Sequence, residues 1–273
     1  MIGSTLVERS VADLVAAGLD GTEADLLVVN PARDTIRELV AALGSLPSPP
    51  RVRLLADEAP VKDLMDDFLV ASEAADLVAA EVLAIRTVSD PPRNSLLVSE
   101  NAVVSVVDGG EAVAGLPTTD AEFVRTTVEH YRDRWAGAAA FSLRTPPISE
   151  VRETLAADIG EGVAADFDAV LDALGTARGD GDGLDEVTIS ILVAARNGEL
   201  LYDISKWGED VGLASKATFS RTKTRLEDRG LVDTEKVPID VGRPRLRLML
   251  GDERLETAEA DDLARVARSL LSA

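Results

Sequence analysis

Ser215–Leu250 reads SKATFSRTKTRLEDRGLVDTEKVPIDVGRPRLRLML. Between Ser215 and Leu226 it carries four cations, Lys216, Arg221, Lys223 and Arg225, and no acid. Ser215 is a helix cap, and Phe219, Thr222 and Leu226 recur at the spacing of one helical face. Gly230 ends the helix, Leu231–Val237 and Arg245–Leu250 have strand character, and Pro238–Pro244 forms the loop between them, tipped by Gly-Arg-Pro-Arg. The whole chain has a formal charge of −21. A cationic helix in so acidic a chain calls for a polyanion lying against it, a phosphate backbone above all.

The residues just upstream complete the pattern. Asp185–Ala195 (DEVTISILVAA) turns Val187, Ile191, Leu192 and Ala195 inward, and Asn197-Gly198 stops it. Leu201–Val211 is a second helix with Tyr202, Ile204, Trp207 and Val211 apolar, and Gly212-Leu213 supplies a tight turn. Three helices followed by a two-stranded hairpin make a winged helix-turn-helix. Lys216, Thr218, Ser220, Arg221 and Arg225 lie away from the Phe219–Leu226 face or beside it, Lys223 is a further cation of the same helix, and Arg243 and Arg245 flank the rigid Pro244 in the wing. Short hydroxyls and forked guanidiniums are the side chains that reach base edges and phosphates, so these eight are the expected DNA-binding residues. From Gly212 to Arg247 nine bases stand against five acids, which leaves −25 for the rest of the chain. The alternative is a winged-helix protein–protein adaptor whose charges form a solvated face.

Further outward, residues 1–145 alternate in an α/β manner. Ser4 or Thr5 is expected to cap a helix running to about Ala17, with Leu6, Val7, Val11, Leu14 and Val15 on one face. Ala24–Val29 is a buried strand, Arg33–Leu43 a helix, Val52–Leu55 a second strand, and Val61–Ala80 a helical stretch interrupted near Ser72. EVLAIRTV, NSLLVSE and AVVSVVD are three more strand-like runs. A helix from Asp120 to Trp135 closes the segment, with Phe123, Val124, Thr127, Val128, Tyr131 and Trp135 in phase. Residues 146–183 form a connecting helix, Ile148–Leu174, broken by Gly160 and Gly162, and then the linker ARGDGDG. Residues 184–250 are the winged helix, and 251–273 a last amphipathic helix, Glu253–Leu271.

Composition closes off several chemistries. There is no cysteine, which removes disulfides, thiol catalysis and thiolate zinc sites, and one histidine, His130, cannot build a histidine metal cluster within a subunit. No metal and no cofactor are expected. No apolar run approaches the ~18 residues of a membrane span, and the N-terminus lacks a basic leader followed by an apolar stretch, so a cytoplasmic protein without membrane contact is expected. Phosphodiester transfer through a histidine needs H-x-K-x-D, whereas His130 is followed by Tyr131 and Arg132. No Gly-rich phosphate loop or EF-hand spacing is present, and Ser142 and Ser149 have no histidine partner in view. No catalytic residue is assigned. The 49 acids, 28 bases, five lysines and 3% aromatics suggest a cell interior of very high salt, where a Debye length of roughly 3 Å screens surface carboxylates from one another.

The stretch TFSRTKTRLEDRGLV and the wing VGRPRLRL resemble archaeal winged-helix transcription regulators. With its acidic α/β segment the whole chain resembles the haloarchaeal TbsP-type regulators, which work alongside TrmB-type regulators on central carbon metabolism. The order ending in RNSLLVSENAVVSVVD and FVRTTVEHYRDRWAGA resembles the phospholipase-D-like regulatory domain of TrmB-like proteins. The resemblance implies a phospholipase-D-like sheet with flanking helices, a non-catalytic sensor, and double-stranded promoter DNA as partner.

Two further expectations complete the reading. Asn30 and Arg33 follow the first strand, Arg86 ends the third, and Arg93 with Asn94 lie near, so these five are candidates to hold a small sugar or sugar-phosphate effector at the carboxyl ends of the strands. A homodimer matching two half-sites is expected. Its interface candidates are the C-terminal helix, whose apolar stripe has no obvious partner, and the Ile148–Leu174 helix.

Overall fold

The computed structural model describes residues 6–18, 25–178, 183–238 and 244–272. The chain divides into two compact units, one made of residues up to 66 together with 73–143, the other of residues 67–72 and 144 onward.

The first unit is α/β. Its elements run β1 (Leu6–Glu8), α1 (Val11–Gly18), β2 (Leu26–Val29), α2 (Arg33–Ser45), β3 (Val52–Asp57), α3 (Glu58–Met65), α4 (Phe68–Ala79, of which residues 68–72 belong to the second unit), β4 (Leu83–Val88), β5 (Leu96–Val98), β6 (Val103–Asp108), β7 (Val113–Thr118), α5 (Ala121–Gly137) and β8 (Ala139–Ala140). The strands form one mixed sheet in the order β1-β7-β6-β5-β2-β3-β4-β8. The centre, β2, β3 and β4, is parallel, and all other pairings are antiparallel. β2 is buried at all four positions, as expected of a strand covered on both faces. α2 buries Ile36, Leu39, Val40 and Leu43. Under α5, Val124 and Tyr131 pack on Leu27, Val29, Leu55, Val98 and Val103.

Four expectations change here. Residues 6–8 are a strand, paired Leu6 to Gly115 and Glu8 to Val113, and not the start of a helix. The helix begins after Ser10, whose Oγ accepts from the Asp13 amide at 3.1 Å and donates to the Asp13 carboxylate at 2.9 Å. Ser4 and Thr5, the expected caps, and Ala24 lie outside the described residues. The break in the long helical stretch falls at residues 66–67, not near Ser72, because the fully buried Asp67 accepts from the Leu69 amide and opens α4. β7 has no counterpart in the sequence reading. Its Pro117 is tolerated because β1 pairs only with residues 113–115, so the missing N–H sits on an unpaired edge. Phe123 is 52% exposed, so only part of the expected α5 stripe is packed.

The second unit is a helix-turn-helix domain with additions. It contains α6 (Ile148–Asp158), α7 (Glu161–Asp172), α8 (Glu186–Arg196), α9 (Leu201–Asp210), α10 (Lys216–Asp228), β9 (Val232–Val237), β10 (Arg245–Leu250), α11 (Glu253–Glu256) and α12 (Ala260–Leu271). β9 and β10 pair antiparallel from Leu250–Val232 to Arg245–Val237, and Leu200 bridges to Arg247, adding a short third rung. One core joins Val151, Leu155, Val163, Phe167, the whole inner length of α8, Ile204, Trp207, Phe219, Leu226 and Leu248. Trp207 is fixed by its indole N–H, which donates to Thr154 Oγ1 at 2.9 Å.

The last helical stretch is split into α11 and α12, and its apolar stripe has a partner within the chain. Leu263, Ala264 and Ala267 are buried, and α12 packs on α7. The Ile148–Leu174 stretch is likewise consumed by this core. Neither stripe is left open for the second subunit that the sequence reading assigned to it.

Candidate nucleic-acid interface

Local chemistry builds the helix pair. Asp185 caps α8 by accepting from the Thr188 amide at 2.7 Å, and Ser215 caps α10 by accepting from the Thr218 amide at 3.2 Å. Gly212 turns the chain between α9 and α10 at φ +82°, a conformation that disfavours any side chain. Gly208 on α9 lets Phe219 come close, since a Cβ there would lie 2.3 Å from the Phe219 ring. Phe219, Thr222 and Leu226 point into the core, as their spacing implied.

The opposite side of α10 is open. Ala217, Ser220, Arg221 and Thr224 are exposed in one stripe at helical spacing, with Lys216 and Arg225 exposed beside it. Their surroundings differ. Lys216 pairs with Glu209 at 2.7 Å, which holds the ammonium above and the Glu209 carboxyl below their ordinary values. Lys223 is only 12% exposed and pairs with Glu227 at 2.6 Å, while Glu227 also accepts from Thr234 Oγ1. Arg225 donates to Thr188 Oγ1 at 2.9 Å. Arg221 donates to Thr218 Oγ1 at 3.3 Å and keeps its remaining donors outward. Thr218 is half-buried and also within 3.1 Å of Ser215 Oγ. On the hairpin, Arg245 lies over the Tyr202 ring at 4.3 Å and pairs with Asp203 at 3.2 Å. Arg243 lies outside the described residues. Among the described residues from 212 to 250, Arg221, Arg225, Arg229 and Lys236 are the cations with no carboxylate partner, and Arg229 is bound to the Leu271 carbonyl.

The structure therefore collects Lys216, Ser220, Arg221 and Arg225 on one surface, places Thr218 at its edge and commits Lys223 to a partly buried pair. Ala217 and Thr224 belong to the open stripe and were passed over in the sequence, although they stand three before and four after Ser220. Tyr202, counted among the apolar positions of its helix, is exposed and carries Arg245.

The five effector candidates of the first unit are not gathered into one site. The Asn30 side chain donates to the Pro92 carbonyl at 2.6 Å, Arg33 pairs with Asp63 at 2.9 Å, and Arg86 donates to the Trp135 carbonyl at 2.7 Å while lying over the Trp135 ring. Each is committed to holding the fold. Arg93 and Asn94 are exposed, and Asn94 lines a groove beside α5. Among the described residues no cluster of three or more His, Asp or Glu is arranged to hold a metal, and no helix is long and apolar enough to cross a membrane.

Comparison with known proteins bears on both units. Residues 3–146 match the family model described as transcriptional regulator TbsP-like, N-terminal, and residues 147–268 match transcriptional regulator TbsP-like, C-terminal HTH domain. Neither describes a catalytic family. No curated protein matches the chain. A solved structure, "Structure of TrmBL2, an archaeal chromatin protein, shows a novel mode of DNA binding", is similar at 13% identity and a TM-score of 0.34. That likeness covers 50% of this chain and about half of that one, 54%, and is too loose to carry an argument. The two family models together span nearly the whole chain, and the protein belongs to the TbsP-like transcriptional regulators.

Proposed function

We propose that this regulator binds double-stranded promoter DNA in a sequence-specific way, with α10 in the major groove and the hairpin loop against the backbone or minor groove. The observation that supports the reading is the open stripe of Ala217, Ser220, Arg221 and Thr224, flanked by Arg225, in which the Arg221 guanidinium has no acid beside it. Arg221 and Ser220 carry donors for base edges, and Ala217 offers a methyl for thymine. Lys216, Arg225, Arg245 and, from the sequence, Arg243 contact phosphates, Lys216 and Arg245 after giving up a surface carboxylate. Lys223, partly buried in its pair with Glu227, supports the helix rather than reaching the duplex.

The wider reading has three parts. The targets are genes of central carbon metabolism in a cell of high internal salt; the protein acts as a homodimer on paired half-sites; and the first unit, a non-catalytic relative of phospholipase-D-like regulatory domains, senses a metabolite. Support for these comes from the resemblance and the acidic composition. The adaptor alternative draws on one observation, that Lys216, Lys223 and Arg245 already hold carboxylates. Genome-wide footprinting in the native cells, followed by mobility shifts on the recovered sites at molar KCl, separates the two. Discrete promoter footprints lost on Arg221→Ala support the regulator; their absence with an intact fold leaves the adaptor.

A further inference from the structure

In the first unit, α5 lies along one side of the sheet face and leaves an open groove of about 450 Å³ between itself and β5, β6 and β7. That is within the range of small-molecule sites, roughly 300–1,000 Å³. Seven polar side chains line it: Asn94, Ser105, Thr118, Thr126, Thr127, His130 and Tyr131. The Thr126 hydroxyl donates to the Glu122 and Phe123 carbonyls of its own helix, and none of the other six has a side-chain hydrogen-bond partner among the described residues. Leu116, paired with Ser105 across β6 and β7, and Phe123 supply an apolar wall, 47% and 52% exposed.

Tyr131 is the most telling of them. It is 8% exposed, its ring sits in the core edge-on to His130 at 4.9 Å, and its hydroxyl has no hydrogen-bond partner among the described residues. Among the described residues no buried side-chain oxygen or nitrogen is left unsatisfied, so this hydroxyl reaches solvent where the groove opens. Burial raises the phenol above its ordinary value against the pull of Arg134, which keeps it a neutral donor.

Charge defines what fits. Charged residues are 28% of the chain, yet no Asp, Glu, Lys or Arg lines the groove. A phosphate or carboxylate entering it would find no lysine or arginine on the walls to pair with. An uncharged molecule with several hydroxyls would satisfy those six polar groups, and its C–H face would cover Leu116 and Phe123. We propose that this groove binds an uncharged, hydroxyl-rich small molecule, an unphosphorylated sugar or polyol. The proposal deepens the sensing part of the function above and rests on it only for the consequence at DNA; occupancy of the groove is measured by itself.

The single histidine is the reporter. Full-length protein labelled with ¹³C-histidine is titrated with glycerol, glucose, fructose and sucrose at millimolar concentration, with glucose 6-phosphate as the anionic counterpart. The expected result is a saturable shift of the His130 ring signal with at least one uncharged compound, with the phosphate ester about tenfold weaker or more. Tyr131→Phe and Thr118→Val, which remove one hydroxyl each at nearly constant shape, should each weaken that binding about three- to tenfold. Urea unfolding checks both folds, and Thr118→Val alone carries the test where Tyr131→Phe fails to fold. No saturable shift with any of the four, equal binding of the phosphate ester, or unchanged affinity in both folded variants would overturn the proposal. So would a His130 signal that follows protein concentration and self-association, which would make the groove an interface. Failure of the chain to bind DNA would sink the regulator reading and leave this titration intact.

Discussion

Gly208→Ala tests how the exposed helix of the second unit is held. A methyl at position 208 would stand 2.3 and 2.4 Å from Cε2 and Cζ of Phe219. Carbon atoms rest near 3.5–4.0 Å, so more than about 1 Å must be made up by movement. The Phe219 ring is fully buried and cannot swing into water. α10, which carries it, has to lift from α9. Overpacking of this kind costs about 1–3 kcal/mol, while alanine in place of glycine in a helix returns about 0.5–1 kcal/mol. The net loss should be about 1–2 kcal/mol in urea unfolding. DNA affinity should fall further than stability accounts for, because the lifted helix is the one with Ser220 and Arg221. Phe219→Leu removes the clashing ring edge, so adding it to Gly208→Ala should cost less than the sum of the two changes. A Gly208→Ala protein as stable as its parent, or a strictly additive pair, would refute the account of this contact.

Arg221→Ala should weaken DNA binding by about 1–3 kcal/mol and relax preference at one base position, whereas Lys216→Ala, already ion-paired to Glu209, should cost clearly less and do so uniformly across sequences; equal losses by fluorescence anisotropy would contradict the division. Burial, with the neighbouring Asp185 charge adding and a local backbone hydrogen bond opposing, raises the Glu186 carboxyl to about 7. Between the ordinary carboxylate range and that value the folded state holds a proton that the unfolded chain has lost, so stability falls as pH rises and the penalty is complete above about 7. Glu186→Gln should remove this slope and, because the group is only partly buried, gain about 1–2 kcal/mol at pH 8; an unchanged pH profile would exclude it as the source. Asp67, fully buried, accepts from Thr176 Oγ1 at 2.7 Å and the Ala177 amide at 3.1 Å. Asp67→Ala should destabilise the second unit by about 2–4 kcal/mol by orphaning those donors, checked by calorimetry, with a change below the measurement error counting against it.

The parts of this fold that could be read in the sequence are those where a local signal and the tertiary packing agree. Ser215 caps the helix it announces, Asp185 stands one residue outside the helix it was counted in and caps it, Gly212 turns the chain where it stands, and Phe219, Thr222 and Leu226 face the core at the interval they suggest. β1 was hidden because Leu6, Val7, Val11, Leu14 and Val15 fit one helical stripe, and a three-residue strand has too few positions to declare a period of two. β7 was hidden by Pro117, harmless only because its neighbour strand is short. The break at Asp67 was misplaced because nothing local distinguishes a buried capping aspartate from the acids around it. The candidate sites were less legible for one reason: a sequence shows which side chains are charged, not which charges are already taken. Arg33, Arg86, Lys223 and Arg245 were chosen for their cations, and the fold spends those cations on Asp63, the Trp135 carbonyl, Glu227 and Asp203. The groove beside α5 escaped because its residues come from four elements and bear no charge.

The pair of Lys216 and Glu209 changes what salt can do at this surface. An ordinary lysine meets DNA by casting off a mobile anion, or by letting the duplex shed a potassium ion, and the gain shrinks as the solution fills with salt. Lys216 comes with an anion bonded to its own chain. If a phosphate takes the ammonium, as proposed above, Glu209 cannot diffuse away; it stays behind as a carboxylate beside the duplex and repels it. The salt dependence of that contact would then be weaker than for a lysine with no acid bonded to it, because part of what the phosphate gains at low salt is lost to this fixed anion.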